Sequence, residues 1–168
     1  LNWLRVLSIL IKKDIKIEFQ TKETLVTLCL FGLLIITVFS LSTENNSLIN
    51  QNFGAGILWS SVIFAGSIAM VKFFYHEEQN KTLQSLMVMP VPSELILFSK
   101  SIVFFLFLSI SEIIIFLISS VLFNLNIFSL KLILGCIVFN VGYSVVGSFF
   151  GVISSKSSSK EILLTMLL

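Results

Sequence analysis

Apolar residues dominate four stretches of the chain, 25–41, 53–75, 95–123 and 132–153, and the polar positions gather in the short gaps between them. A helix rising 1.5 Å per residue needs about 20 residues to cross the ~30 Å of hydrocarbon in a bilayer. Each stretch approaches or exceeds that length. Inside lipid every backbone N–H and C=O must find its partner within the same segment, so each stretch predicts a helix. The pattern predicts an all-α, polytopic membrane helix bundle with four crossings.

Residues 2–19 are too charged to span. At about 100° per residue, Arg5, Ser8, Lys12 and Lys16 share one stripe while Trp3, Leu7, Leu10 and Ile17 lie roughly opposite. This predicts an amphipathic helix on the cytoplasmic surface, with residues 1–23 as an interfacial unit and 24–168 as the membrane domain. Asp14 falls in the middle of the apolar side, which leaves two readings open. The helix is a lipid anchor carrying one misplaced acid, or the acid makes a polar contact with the spans.

Charge gives the spans a direction. Arg5, Lys12, Lys13, Lys16 and Lys22 precede the first stretch, Lys72, Lys81 and Lys100 bracket the second gap between stretches, and Lys156 and Lys160 follow the fourth. Only Lys131 lies on the other side. Loops that stay in the cytoplasm keep their Lys and Arg, so the N-terminus and residues from 151 onward are expected inside, and residues 42–52 and 124–131 outside. A hydrophobic share of 56% against 12% charged residues, with a mean hydropathy of +1.02, is far from the balance of a soluble domain. The net charge of +2 follows from the inside bias of Lys and Arg, and no basic patch interleaved with aromatics points to nucleic acid. Cys29 and Cys136 lie inside apolar stretches and read as small hydrophobes, not a disulfide pair. No cleavable signal peptide is visible. The chain opens on Leu1 and stops where a fifth apolar stretch has just begun, so it reads as a fragment of a longer protein.

Polar residues inside the stretches are the candidates for chemistry. Glu112 is costly in a span and is expected to face protein or water, either as a functional carboxylate on a substrate path or as a protonated or hydrogen-bonded structural acid. Ser101, Ser109 and Ser119 fall on its side of the helix, and Asn140 in the fourth stretch is its candidate partner. Ser61, Ala65 and Ala69 at four-residue spacing, and Asn140, Ser144 and Ser148 beside Gly147 and Gly151, suit close helix packing within the chain or a dimer or translocation surface. No phosphate-binding glycine loop, metal-ligand spacing or Ser/His/Asp set occurs, so no enzyme is expected. His76 reads as a polar boundary residue.

Residues 72–100 form the most informative cytoplasmic segment. Leu83, Leu86 and Met87 at i, i+3 and i+4 predict a short helix with one apolar face, ended by Pro90 and Pro92. That face suits a partner protein or, alternatively, lipid headgroups. Ser93 is then expected to cap the next helix, with Glu94 in its first turn.

This segment resembles the permease component of the ABC-type haem exporter for cytochrome c maturation, the CcmB family. The resemblance rests on Phe74, then Glu77 and Glu78, then the string from Thr82 through Leu83, Leu86, Met87 and Pro90 to Pro92, then Lys100. Gly56, Ile57 and Trp59 match the entry to the second span, after Phe39–Ser42 at the end of the first. Lys81 stands where the family usually has Gly, and Gln84 where it often has an acidic residue. The resemblance implies a type-2 ABC exporter-like permease of six spans, with residues 76–94 as the coupling loop on which a separate ABC ATPase subunit docks. It further implies two permease copies per complex, the haem-handling subunits C and D as neighbours, and a place among the lipids of the bacterial or mitochondrial inner membrane. Haem is then cargo and ATP belongs to the partner, so no cofactor is assigned to this chain. Glu112, Asn140 and Trp59 are the candidate pathway residues. A generic ABC permease for a lipid, polysaccharide or drug, and a membrane assembly component without transport, remain the alternatives.

Overall fold

The computed structural model describes residues 3–42, 47–79, 92–123 and 130–156, with side chains described over 3–42, 54–74, 92–123, 130 and 132–151. Among the described residues the chain is helical: α1 (Trp3–Thr21), α2 (Glu23–Ser42), α3 (Ser47–Gln79), α4 (Ser93–Phe123) and α5 (Leu130–Lys156). Four segments are long and apolar enough to cross a membrane: Glu23–Ser42, Gly54–Phe74, Ser93–Phe123 and Leu132–Gly151. The chain is a polytopic helical membrane bundle, as the four apolar stretches predict.

The break between α1 and α2 is a single residue. Lys22 has φ of 57°, a left-handed conformation that turns the backbone out of α1, and its N–H donates to the Glu18 carbonyl at 2.6 Å. The Glu18 side chain then accepts from the Thr24 N–H at 2.6 Å, satisfying one of the unpaired donors at the start of α2. The acid that closes α1 therefore opens α2.

Helix α1 does not stand apart from the spans. Leu10 packs with Ile96, Asp14 pairs with Lys100, and Phe19 meets Phe107 edge-on at 5.8 Å, so α1 runs beside the first half of α4 in the same direction. Helices α2 and α3 pack antiparallel, and α3 and α5 run parallel. The last pair meets through small residues. A Cβ on Gly66 would come within 2.8 Å of the Tyr143 ring, and one on Gly147 or Gly151 would collide with Met70 or Phe74. The Tyr143 hydroxyl donates to the Ile63 carbonyl at 3.0 Å and lies 2.9 Å from the Ser67 hydroxyl, fixing α5 on α3. The small-residue faces serve packing within the chain: Ser61, Ala65, Ala69, Asn140, Ser144 and Ser148 are all buried.

The serines of α4 cost little inside the bundle, because Ser99, Ser101, Ser111 and Ser119 each donate to a carbonyl three or four residues earlier. Ser93 does not occupy the cap position. The Pro92 carbonyl accepts from the Leu95 N–H at 3.0 Å, so α4 starts one residue earlier than its sequence suggests, with Glu94 in its first turn. Both cysteines are free thiols.

Candidate functional site

Three acids are buried among the described residues, and of these Glu18 serves the α1–α2 joint while Asp14 and Glu112 lie along α4. Its 31 residues span about 46 Å, well beyond the ~30 Å of hydrocarbon. Lys100 lies about 10 Å from its start and Glu112 about 18 Å further along.

At the first position Asp14 of α1 is 4% exposed and Lys100 of α4 has no exposed surface. The Lys100 ammonium lies 2.8 Å from Asp14 Oδ2, and Lys13 closes on Oδ1 at 3.0 Å. The same ammonium sits 5.4 Å from the centre of the Phe73 ring, within cation–π reach, so one lysine joins α1, α3 and α4. Of the two readings of Asp14, the structure takes the polar contact with the spans.

At the second position Asn140 of α5 donates from Nδ2 to Glu112 Oε2 at 2.6 Å and to Ser109 Oγ at 3.2 Å. Glu112 is 4% and Asn140 2% exposed. Glu112 Oε1 and Asn140 Oδ1 are buried and have no hydrogen-bond partner among the described residues. Ser109, Glu112 and Asn140 lie at one end of a groove of about 350 Å³ between α4 and α5, whose other walls include Phe116, Leu117, Ile133 and Ile137. Cys136, one turn before Asn140, lines it too.

The structure thus brings Glu112 and Asn140 together and leaves Trp59 outside their groove. Trp59 packs edge-on against Phe139 at 5.0 Å and approaches Gly135, where it helps seat α5 on α3. Pro92 is half-buried at the foot of α4. Thr82, Leu83, Leu86, Met87 and Pro90 lie outside the described residues, as do the side chains of His76, Glu77 and Glu78, residues 43–46 and 124–129 of the expected outer loops and the start of a fifth stretch, while residues 47–52 of the first expected loop are helical as the start of α3.

Lys100 as an interior partner escapes a reading by charge alone, which places it at the mouth of a loop. The signal that could find it is the apolar run from Leu95 to Phe98 that precedes it, together with a misplaced acid on α1 in need of a countercharge. Cys136 reads as a small hydrophobe, yet its four-residue spacing from Asn140 puts both on one helix face.

Among the described residues no group of three His, Cys, Asp or Glu could hold a metal ion. The family described as CcmB protein matches residues 5–168. The chain is 23% identical over 87 residues to heme exporter protein B of Escherichia coli K12, a match covering 52% of this chain and 40% of that one. Heme exporter protein B of Shigella flexneri matches over the same length at the same identity. The match thus spans about two-fifths of the length of the curated relatives.

Proposed function

From the premise that the chain belongs to the CcmB protein family, we propose that it is the membrane part of a permease that works in haem export for c-type cytochrome biogenesis. The observation that carries this reading is the family match over residues 5–168, which takes in all four spans and the segment between α3 and α4. The haem assignment draws on the name of the curated relatives, heme exporter protein B.

In this reading the N-terminus lies in the cytoplasm of a cell with the protein in its inner membrane, or in the matrix of a mitochondrion. Helix α1 packs along the first half of α4 and is clamped to it through Asp14 and Lys100. Residues 76–94 form the coupling loop, on which an ABC ATPase subunit grips Leu83, Leu86 and Met87, with Glu77, Glu78, Thr82, Pro90 and Pro92 shaping the contact. Because Lys100 touches α1 and α3 close to where that segment rejoins α4, a push on the loop is delivered to three helices at once. Two such permease copies assemble with the ATPase and with the haem-handling subunits C and D.

Deletion of the full-length gene is expected to abolish covalent haem in c-type cytochromes while b-type cytochromes persist, read by haem staining of membrane proteins. Normal c-type cytochromes would replace this reading with that of a generic exporter. Leu86→Asp is expected to leave the protein in the membrane but lose the ATPase from detergent pull-downs, since docking would bury an unpaired charge. Full recovery of the ATPase would mean that the loop does not dock it.

A further inference from the structure

Helix α1 carries four basic and two acidic side chains, and the fold sorts them by sign. Asp14 and Glu18 are turned inward, where Asp14 meets Lys13 and Lys100 and Glu18 accepts from the Thr24 N–H, so both acids are matched inside the bundle. Arg5, Lys12 and Lys16 lie on the opposite side of the helix and are exposed. Glu23 of α2 and Glu94 of α4 are exposed as well, yet among the described residues both ion pairs are made by Asp14. The outer face of α1 therefore presents positive charge that no carboxylate of the described chain pairs.

Chain connectivity limits how far that charge can lie from lipid. The spanning helix α2 begins at Glu23, one residue after the break at Lys22. At 1.5 Å per residue Lys16 lies within roughly 12 Å of that start and Lys12 within roughly 18 Å, whatever the tilt of α1. A headgroup layer extends roughly 5–7 Å beyond the hydrocarbon, and a lysine stem carries its ammonium further out from the helix. Ile9 and Phe19 flank the cationic stripe and are exposed too. Cations set among large apolar side chains are what a helix lying against headgroups presents.

We propose that the outer face of α1 is a docking surface for anionic phospholipid headgroups, whose phosphates are held by Lys12 and Lys16, with Arg5 extending the same stripe. Ile9 and Phe19 reach the upper ends of the acyl chains. The inner face holds α4 through Asp14 and the outer face holds lipid, so α1 ties the first half of α4 to one leaflet. The surface does not depend on the haem reading, and it is tested without ATPase or cytochromes.

Two probes are compared on the purified full-length protein in phosphatidylcholine nanodiscs, phosphatidylglycerol and phosphatidylcholine, each with a diazirine in the acyl chain beside the glycerol. Adducts are mapped by mass spectrometry. The phosphatidylglycerol probe should label α1 around Ile9 and Phe19 several-fold more than the phosphatidylcholine probe does, and added salt should narrow the difference. In the double variant Lys12→Gln with Lys16→Gln the ratio of the two labels at α1 should fall about fivefold for each cation lost. Lys12→Arg with Lys16→Arg should keep the ratio, because it keeps the charge. Both side chains are exposed and outside the Asp14 cluster, so the unfolding midpoint in detergent should be the same in all three proteins. Equal labelling of α1 by the two probes, labelling that misses α1, or an undiminished ratio in the glutamine variant would each overturn the proposal and give this face to protein or water.

Discussion

Asp14, which α1 sets against α4, and Glu112, which α4 itself carries, are equally buried acids, and they differ in what faces them. Asp14 meets two ammonium groups and is closed off by protein. Glu112 meets one amide, and its second oxygen is buried without a hydrogen-bond partner among the described residues. A charge withdrawn from water must recover its lost solvation from partners. The first acid does so completely within the chain, which marks it as a clamp holding α1 on α4. The second does so in part, through the single amide of Asn140.

Removing the lysine should produce the largest effect. Lys100→Met leaves Asp14 buried with only the half-buried Lys13, at an expected cost of about 3–5 kcal/mol, read as a lower unfolding midpoint of the purified protein. Adding Asp14→Leu should recover most of that loss, because an apolar pair can replace a buried ion pair without leaving a charge behind. Failure of the double variant to recover would mean that the pair does more than clamp. Next in size is Asn140→Leu, which strips Glu112 of its amide donor and should cost about 1–3 kcal/mol. Glu18→Ala, which removes the side-chain acceptor at the start of α2, should cost about 1 kcal/mol and loosen the α1–α2 joint, seen as faster amide exchange at Thr24. Tyr143→Phe loses the hydroxyl's bonds to the Ile63 carbonyl and the Ser67 hydroxyl, about 0.5–1.5 kcal/mol, because its ring still fills the space that Gly66 leaves open.

The spans were legible because crossing hydrocarbon imposes a length that composition alone reveals, and the helices bracket the apolar stretches closely. Helix α3 extends beyond its stretch to Ser47 and Gln79, since a helix once formed propagates through adjoining polar residues at little cost. The face of α4 that carries Ser101, Glu112 and Ser119 was legible from periodicity, as was Asn140 as a partner one span away. The Asp14–Lys100 pair was legible only by half. Periodicity shows that Asp14 is misplaced on its own helix, but which distant helix answers it depends on how α1 is set against α4, and that is decided by Leu10 on Ile96 and Phe19 on Phe107. The groove between α4 and α5 was not legible at all. It exists because Phe116 and Leu117 fail to interlock with Ile133 and Ile137, a matter of shape between helices that residue type does not encode.

The contrast between the two acids is tested most directly by neutralising each with its amide and comparing unfolding midpoints of the purified protein in the same lipid. Asp14→Asn should lower the midpoint steeply, because the buried Lys100 ammonium then loses the carboxylate that lies 2.8 Å from it. Glu112→Gln should leave the midpoint at or above that of the unaltered protein, since the amide still accepts from Asn140 and no charge remains to be buried. A loss in Glu112→Gln as large as that in Asp14→Asn would contradict the account, making Glu112 a structural acid in the same sense as Asp14.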